Sequence, residues 1–188
     1  MDEAYRDSLA RRLRAVHHLY REACDTMSLE QVNAVVAPTT LPIAFSLVHQ
    51  LLIEDGSRAL CGGPDPLCEP AALEPLGLAV PDHGKERPVG EMMAQRIGDY
   101  SAFRALQERV FAATEAYVDA VTLSSLDEVL VAPPYPERLA HTFSALVGGE
   151  RGITRSDALE CWVYQHALRH LGEIEHARSL VGLGGMTS

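Results

Sequence analysis

Residues 154–181 read TRSDALECWVYQHALRHLGEIEHARSLV, and their spacing predicts a long amphipathic helix. Leu159, Val163, His166, His170, Ile174, Ala177 and Val181 recur in steps of three and four. Such steps trace one stripe of a helix with 3.6 residues per turn. Thr154, followed three residues later by Asp157, has the form of a capping box with Asp in place of the usual Glu, and marks the start. Gly182, Gly184 and Gly185 mark the end. Two histidines one turn apart interrupt an otherwise apolar stripe.

The same periodicity recurs upstream. From about Asp2 to Met27, Leu9, Leu13, Val16, Tyr20, Ala23 and Met27 share a face. Pro38 and Pro42 then break the chain. A second pattern runs from about Leu41 to Leu60, with Phe45, Val48, Leu52 and Ala59 on its apolar side. It stops at Cys61, Gly62, Gly63 and Pro64. A third starts at Tyr100 and carries Phe103, Leu106, Val110, Ala113, Tyr117 and Val121. Ser124, Ser125 and the prolines 133, 134 and 136 close that region. Residues 62–90 form a long connection rich in proline and glycine. A connection of that length implies a functional loop or a crossover, and a crossover lets helices two and three run parallel. Residues 137–152, with Leu139, Phe143, Leu146 and Val147, fit either a short helix or an extended arm. Internal repeats and useful strand alternation are both missing. The expectation is one all-α domain over residues 1–188: a four-helix bundle with a long crossover between helices two and three.

Composition narrows the function. The chain has 188 residues, 47% of them apolar and 22% charged, enough to bury a core and wrong for disorder. Its net charge of −10 disfavours nucleic acid and anionic membranes as partners. Aromatics, at 6%, are too sparse for a platform that stacks single-stranded bases. Lys85 is the one lysine among 16 basic residues. The charged N-terminal stretch has no apolar signal-peptide core, and no apolar run approaches a membrane span, so a cytoplasmic protein is expected. Cys24, Cys61, Cys68 and Cys161 include no Cys-x-x-Cys pair and are expected to be free, packed thiols.

The chemistry rests on three histidines. His166 and His170 are i and i+4 on the fourth helix. His49 occupies a matching place on the second, beside Phe45, Leu52 and Ile53. One core histidine needs only a hydrogen bond, but several on facing stripes need a shared partner, because a buried imidazole without one is costly. A divalent metal fits: neutral imidazole binds Zn, Ni or Fe, and three histidines leave positions open for water or substrate. Glu173 lies on the same face and is placed either to orient a histidine or to act as a catalytic base. Glu54 and Asp55 fall about 140° and 240° around the helix from His49 and are expected at the surface, pairing with Arg58. His17 borders the Leu13–Tyr20 stripe and is a second candidate to line the site; His18 should face solvent. His83 and His141 show no partner, and His176 lies on another face. Glu173 and His176 match the Glu-x-x-His of di-iron bundles, but the second copy that architecture needs is missing. Trp162, Tyr164 and Tyr117 read as packing residues.

The residues Ser28–Asn33, the run from Leu41 through His49 to Asp55, and the segment Tyr164–Glu175 with its His-x-x-x-His-x-Gly pattern resemble the DinB-like superfamily over nearly the whole chain. The resemblance implies a four-helix bundle with a metal site open at one end of the core, its ligands carried over by position to His49, His166 and His170. It further implies a small-molecule substrate, a low-molecular-weight thiol such as mycothiol as co-substrate, and a homodimer. Members include thiol S-transferases, a mycothiol-dependent isomerase and the bundle domain of sulfoxide synthases. A non-catalytic binding or scaffold protein and a specialised biosynthetic enzyme are the alternatives. Glu173 stands where many members carry Gln.

Overall fold

A computed structural model describes residues 3–186; Asp2, the expected first helical residue, and the outermost ends of the 1–188 domain lie outside them. Four long helices dominate: α1 (Glu3–Asp25), α2 (Ile43–Leu60), α3 (Tyr100–Ala120) and α4 (Gln165–Leu180). The fold is all-α. Helix α2 packs on α3 and α4, and α1 packs on the same two, so the contacts close a ring whose buried apolar residues fall in two clusters.

Each helix is legible in its caps and buried face. The expected stripe is buried throughout, from Leu9 on α1 to Met27 just past its end at Asp25. Burial of a leucine such as Leu13 contributes roughly 1.5–3 kcal/mol. Tyr20 donates its hydroxyl to the Ala167 carbonyl, 2.8 Å away, and joins α1 to α4. Asp99 caps α3 by accepting from the Ala102 amide. Pro42 is the residue before α2. Arg178, buried near the end of α4, donates to the Ala23 carbonyl and the Thr26 hydroxyl at the end of α1.

Helix α2 differs from the single apolar face its sequence predicts. Every residue from Ile43 to Leu51 is buried, because α3, α4 and the following loop surround it. Glu54 and Asp55 are therefore buried too, at 1% and 0% exposure, and not at the surface. Asp55 does pair with Arg58, at 2.6 Å. Its other oxygen accepts from the Leu67 and Cys68 amides, and Arg58 donates to the Pro64 and Asp65 carbonyls. The pair thus clasps the start of the long connection, satisfying buried charge with backbone partners. That connection holds short helical turns at Pro70–Leu73, Glu74–Leu76 and Val89–Met92.

The segment before α4 contains Glu137–Ala140 and Phe143–Gly148, in line with short helix and not an arm. Two short strands were not expected: β1 (Val129–Val131) pairs antiparallel with β2 (Ile153–Thr154). Neither is long enough to show alternation. The Thr154–Asp157 capping box forms and starts the turn Arg155–Ala158. A π-helical stretch, Leu159–Tyr164, then leads into α4. Past it, the fully buried positions are Ala167, Leu171, Ile174 and Arg178. His166 and His170 sit one residue to the side of that stripe and are half-buried, not in its middle.

Candidate metal centre

Helix α2 brings His49 against the flank of α4 that carries His166 and His170. The Nε2 atoms of His49 and His170 each lie 3.2 Å from Nε2 of His166. A ligand atom from each of the three residues falls within 4.8 Å of the others. His49 is buried and the other two are half-buried, so the cluster opens to solvent on one side.

The outward nitrogens fix the tautomers. His49 Nδ1 donates to the His83 carbonyl at 2.5 Å. His170 Nδ1 donates to Glu173 Oε2 at 2.6 Å, and the same oxygen accepts from the Ser46 hydroxyl at 3.1 Å. A neutral imidazole with hydrogen on Nδ1 presents a bare lone pair at Nε2. Burial, with lesser effects of the His170 and His83 charges, pushes the His49 pKa down to about 4. Burial and the charges of His170 and His49 push His166 down to about 2. Both rings are neutral near pH 7. His49 Nε2 thus has no proton to offer, and one hydrogen on His166 Nε2 can make a linear bond to only one neighbour. The three nitrogens are not satisfied by one another.

A cation would satisfy them. At a zinc–nitrogen distance of ~2.0–2.1 Å, a tetrahedral angle separates two donors by roughly 3.3 Å. The two 3.2 Å spacings to His166 match that requirement, and the third pair lies within 4.8 Å. Imidazole donors suit zinc, nickel and iron alike. A histidine ligand whose second nitrogen donates to a carboxylate or carbonyl is the usual outer arrangement of such sites. A possible three-histidine metal site is what this geometry defines; the donor set leaves the metal open.

The neighbouring loop forms one wall. Gly84, at φ +71°, packs so closely on Phe45 that a Cβ there would meet its ring at 2.7 Å. Phe45 in turn stacks near His49, with centroids 5.5 Å apart. The part played by His83 was invisible in the sequence because it acts through its backbone carbonyl. Ser46, three residues before His49, could have been found from helical spacing alone.

Other candidates fall elsewhere. His17 is buried between Glu54 and Glu115 and does not join the three histidines. His18, His141 and His176 are exposed. Tyr164 lies under the Arg12 guanidinium, Tyr117 bonds Arg155, and Trp162 packs beside the Leu159 cluster, in keeping with packing roles. The four cysteines are free. Burial pushes the Cys24 and Cys161 thiols up to about 11 and Cys61 up to about 12, away from nucleophilic thiolate. Among the described residues, no helix is long and apolar enough to cross a membrane.

Compared with family models and with curated proteins, the chain matches none. Among solved structures it is similar to the crystal structure of a conserved protein from Enterococcus faecalis. That likeness has a TM-score of 0.75 and 19% identity, and it covers 96% of this chain and 98% of the other. At such identity it establishes the shared fold.

Proposed function

We propose that the chain is a metal-dependent enzyme of the DinB-like kind, activating a small-molecule thiol, or water, at a centre held by His49, His166 and His170. The observation that carries this is the convergence of three Nε2 atoms, two of them backed by outer hydrogen bonds that turn their lone pairs inward. A divalent cation there supplies Lewis acidity that lowers the pKa of a bound thiol or water. The chain's own residues do the rest. His83 and Glu173 hold two imidazoles in the ligand tautomer. The hydrogen bond from His170 holds the Glu173 carboxyl below its usual range, with burial opposing and Ser46 assisting. A carboxylate so stabilised is a weak base, so Glu173 serves better to position His170 than to take a proton from substrate. The released proton leaves through the solvent-open side.

Metal analysis of protein purified without a chelating tag tests this directly. About one Zn, Ni or Fe per chain is expected, lost in His49→Ala, His166→Ala and His170→Ala and retained in His176→Ala. A screen for thiol conjugation follows. Equal metal content in all four variants, or none in the parent even after metal is added, refutes the centre. The DinB-like resemblance also supports a homodimer, and a monomer in sedimentation at high micromolar concentration would overturn that.

A further inference from the structure

The helix Phe143–Gly148 turns its small residues inward and its large ones outward. Ser144, Ala145 and Gly148 are buried on the side that packs against β2 and the turn Arg155–Ala158. Phe143, Leu146 and Val147 are 49%, 75% and 39% exposed. Their i, i+3 and i+4 spacing puts them on one face. Among the described residues, no other helix exposes three large apolar side chains. The face is firmly braced. Thr142 caps the helix by accepting from the Ala145 amide, and Tyr135 donates its hydroxyl to the Gly149 carbonyl at 2.8 Å. A Cβ on Gly148 would meet that hydroxyl at 2.5 Å, so the helix lies tight on its support.

The charges around this face balance. Between Pro133 and Gly152 the chain carries two acidic and two basic residues, against a net −10 for the whole. Glu137 and Arg138 stand on the turn Glu137–Ala140 before the helix. Glu150 and Arg151 stand on the turn Gly149–Arg151 after it, and both turns pack on the helix. All four residues are exposed, and none makes an ion pair among the described residues. On other surfaces Arg14, Arg21, Arg87 and Arg104 are engaged by carboxylates. Each end of the apolar face therefore offers one charge of each sign.

We propose that a second copy of this chain docks on this face, its own helix Phe143–Gly148 lying antiparallel across a two-fold axis. The inference rests on the homodimer reading above, which it deepens by assigning the surface, and it stands apart from the metal centre. In an antiparallel pair the turn before one helix lies beside the turn after the other. Glu137 then faces the partner's Arg151 and Arg138 faces the partner's Glu150, so opposite signs meet at both ends. Leu146, near the middle, meets its counterpart at the axis. A two-fold contact requires this self-complementarity, and an apolar centre with a charged rim is the usual anatomy of a protein interface. Elsewhere a chain of net charge −10 brings like charge against like when it meets itself, whereas here the local sum is zero. A partner of one strong sign would leave two of the four charges opposed. The helix is short, so the dimer belongs at the weak, reversible end of the range.

Sedimentation velocity of the full chain, from low to high micromolar concentration, tests this. The parent should pass from monomer to dimer. Leu146→Glu sets like charges across the axis at a position exposed enough to spare the fold, and should raise the dissociation constant at least about tenfold, as expected of a central contact. Arg138→Glu should raise it several-fold by setting a carboxylate against the partner's Glu150, and adding Glu150→Arg to that variant should restore it. Thermal melts and metal content should match the parent in all three variants. A dimer that ignores both Leu146→Glu and Arg138→Glu overturns this surface while leaving the homodimer reading standing. A dimer weakened by Arg138→Glu and not restored by Glu150→Arg overturns the antiparallel docking. A parent that stays monomeric at high micromolar concentration overturns the surface and the homodimer together, and flotation of that monomer with neutral-lipid vesicles would assign the face to a lipid surface instead.

Discussion

Replacing His17 with Gln should destabilise the protein strongly, and by an amount that shrinks as pH rises. His17 has no exposed area where α1, α2 and α3 meet. Its Nδ1 is 2.7 Å from Glu115 and its Nε2 is 3.1 Å from Glu54. The second contact is an ion pair off hydrogen-bond geometry, since neither atom has a hydrogen-bond partner. The ring stacks on Phe111 with centroids 3.9 Å apart and planes within 5°. Burial pushes the His17 pKa down, but the Glu54 charge, with the hydrogen bond and charge of Glu115, outweighs it and leaves the value raised. One imidazolium thus pins three helices.

His17→Gln removes the cation and strands the Glu54 charge, whose side chain is 1% exposed. Breaking a buried pair from one side costs about 3–5 kcal/mol. Glu115 suffers less, because Arg21 and Arg14 remain 3.7 and 3.8 Å from it. The double variant His17→Phe with Glu54→Leu removes both buried charges and should recover most of the loss. The pH dependence follows from linkage. Below the unfolded value of about 6.5 both states hold the proton, so the contribution is complete. Above it the unfolded chain releases the proton first, and stability falls until pH passes the raised folded pKa. Each unit of elevation is about 1.4 kcal/mol. Urea unfolding of the parent and His17→Gln between pH 5.5 and 9 reads the difference. A difference that stays flat or grows with pH would refute a charged His17.

Glu173→Gln keeps the shape at His170 but removes the charge; metal affinity should fall by roughly 10–100-fold, measured by competition with a chromophoric chelator. Gly84→Ala forces a Cβ into a left-handed position (φ +71°) against Phe45, 2.7 Å from its ring. It should cost about 1–2 kcal/mol from backbone handedness alone in a thermal melt, and metal affinity should fall with it as the His83 carbonyl moves away. Unchanged metal affinity in Gly84→Ala would show that the turn does not support His49.

The helices were legible because apolar spacing and caps act locally. The α1 stripe and the Thr154–Asp157 box appear where the residues place them. The three histidines were legible because spacing along α4 puts two on one turn, and polar residues amid apolar ones stand out. Burial on α2 was not legible. Angles measured from His49 assume one buried face, and a helix enclosed on several sides has none to measure from. Glu54 could be placed only once His17 on another helix was known to meet it. The His83 carbonyl leaves no side-chain signature at all.

The phase of α4 shows why one local irregularity matters for function. A uniform 3.6-residue period carries the stripe from Val163 to His166 and His170, into the centre of the core. The π turn at Leu159–Tyr164 accommodates one extra residue, and the buried face downstream moves on by one, to Ala167 and Leu171. The histidines are thereby rotated to the flank. Had they stayed on the stripe, they would be packed beneath α1, where Tyr20 now meets the Ala167 carbonyl, and no substrate could reach them. Rotated, they still meet His49 on α2, and they stay half-buried with an open side. The same irregularity that misleads a periodicity argument is what turns a buried polar cluster into an accessible one.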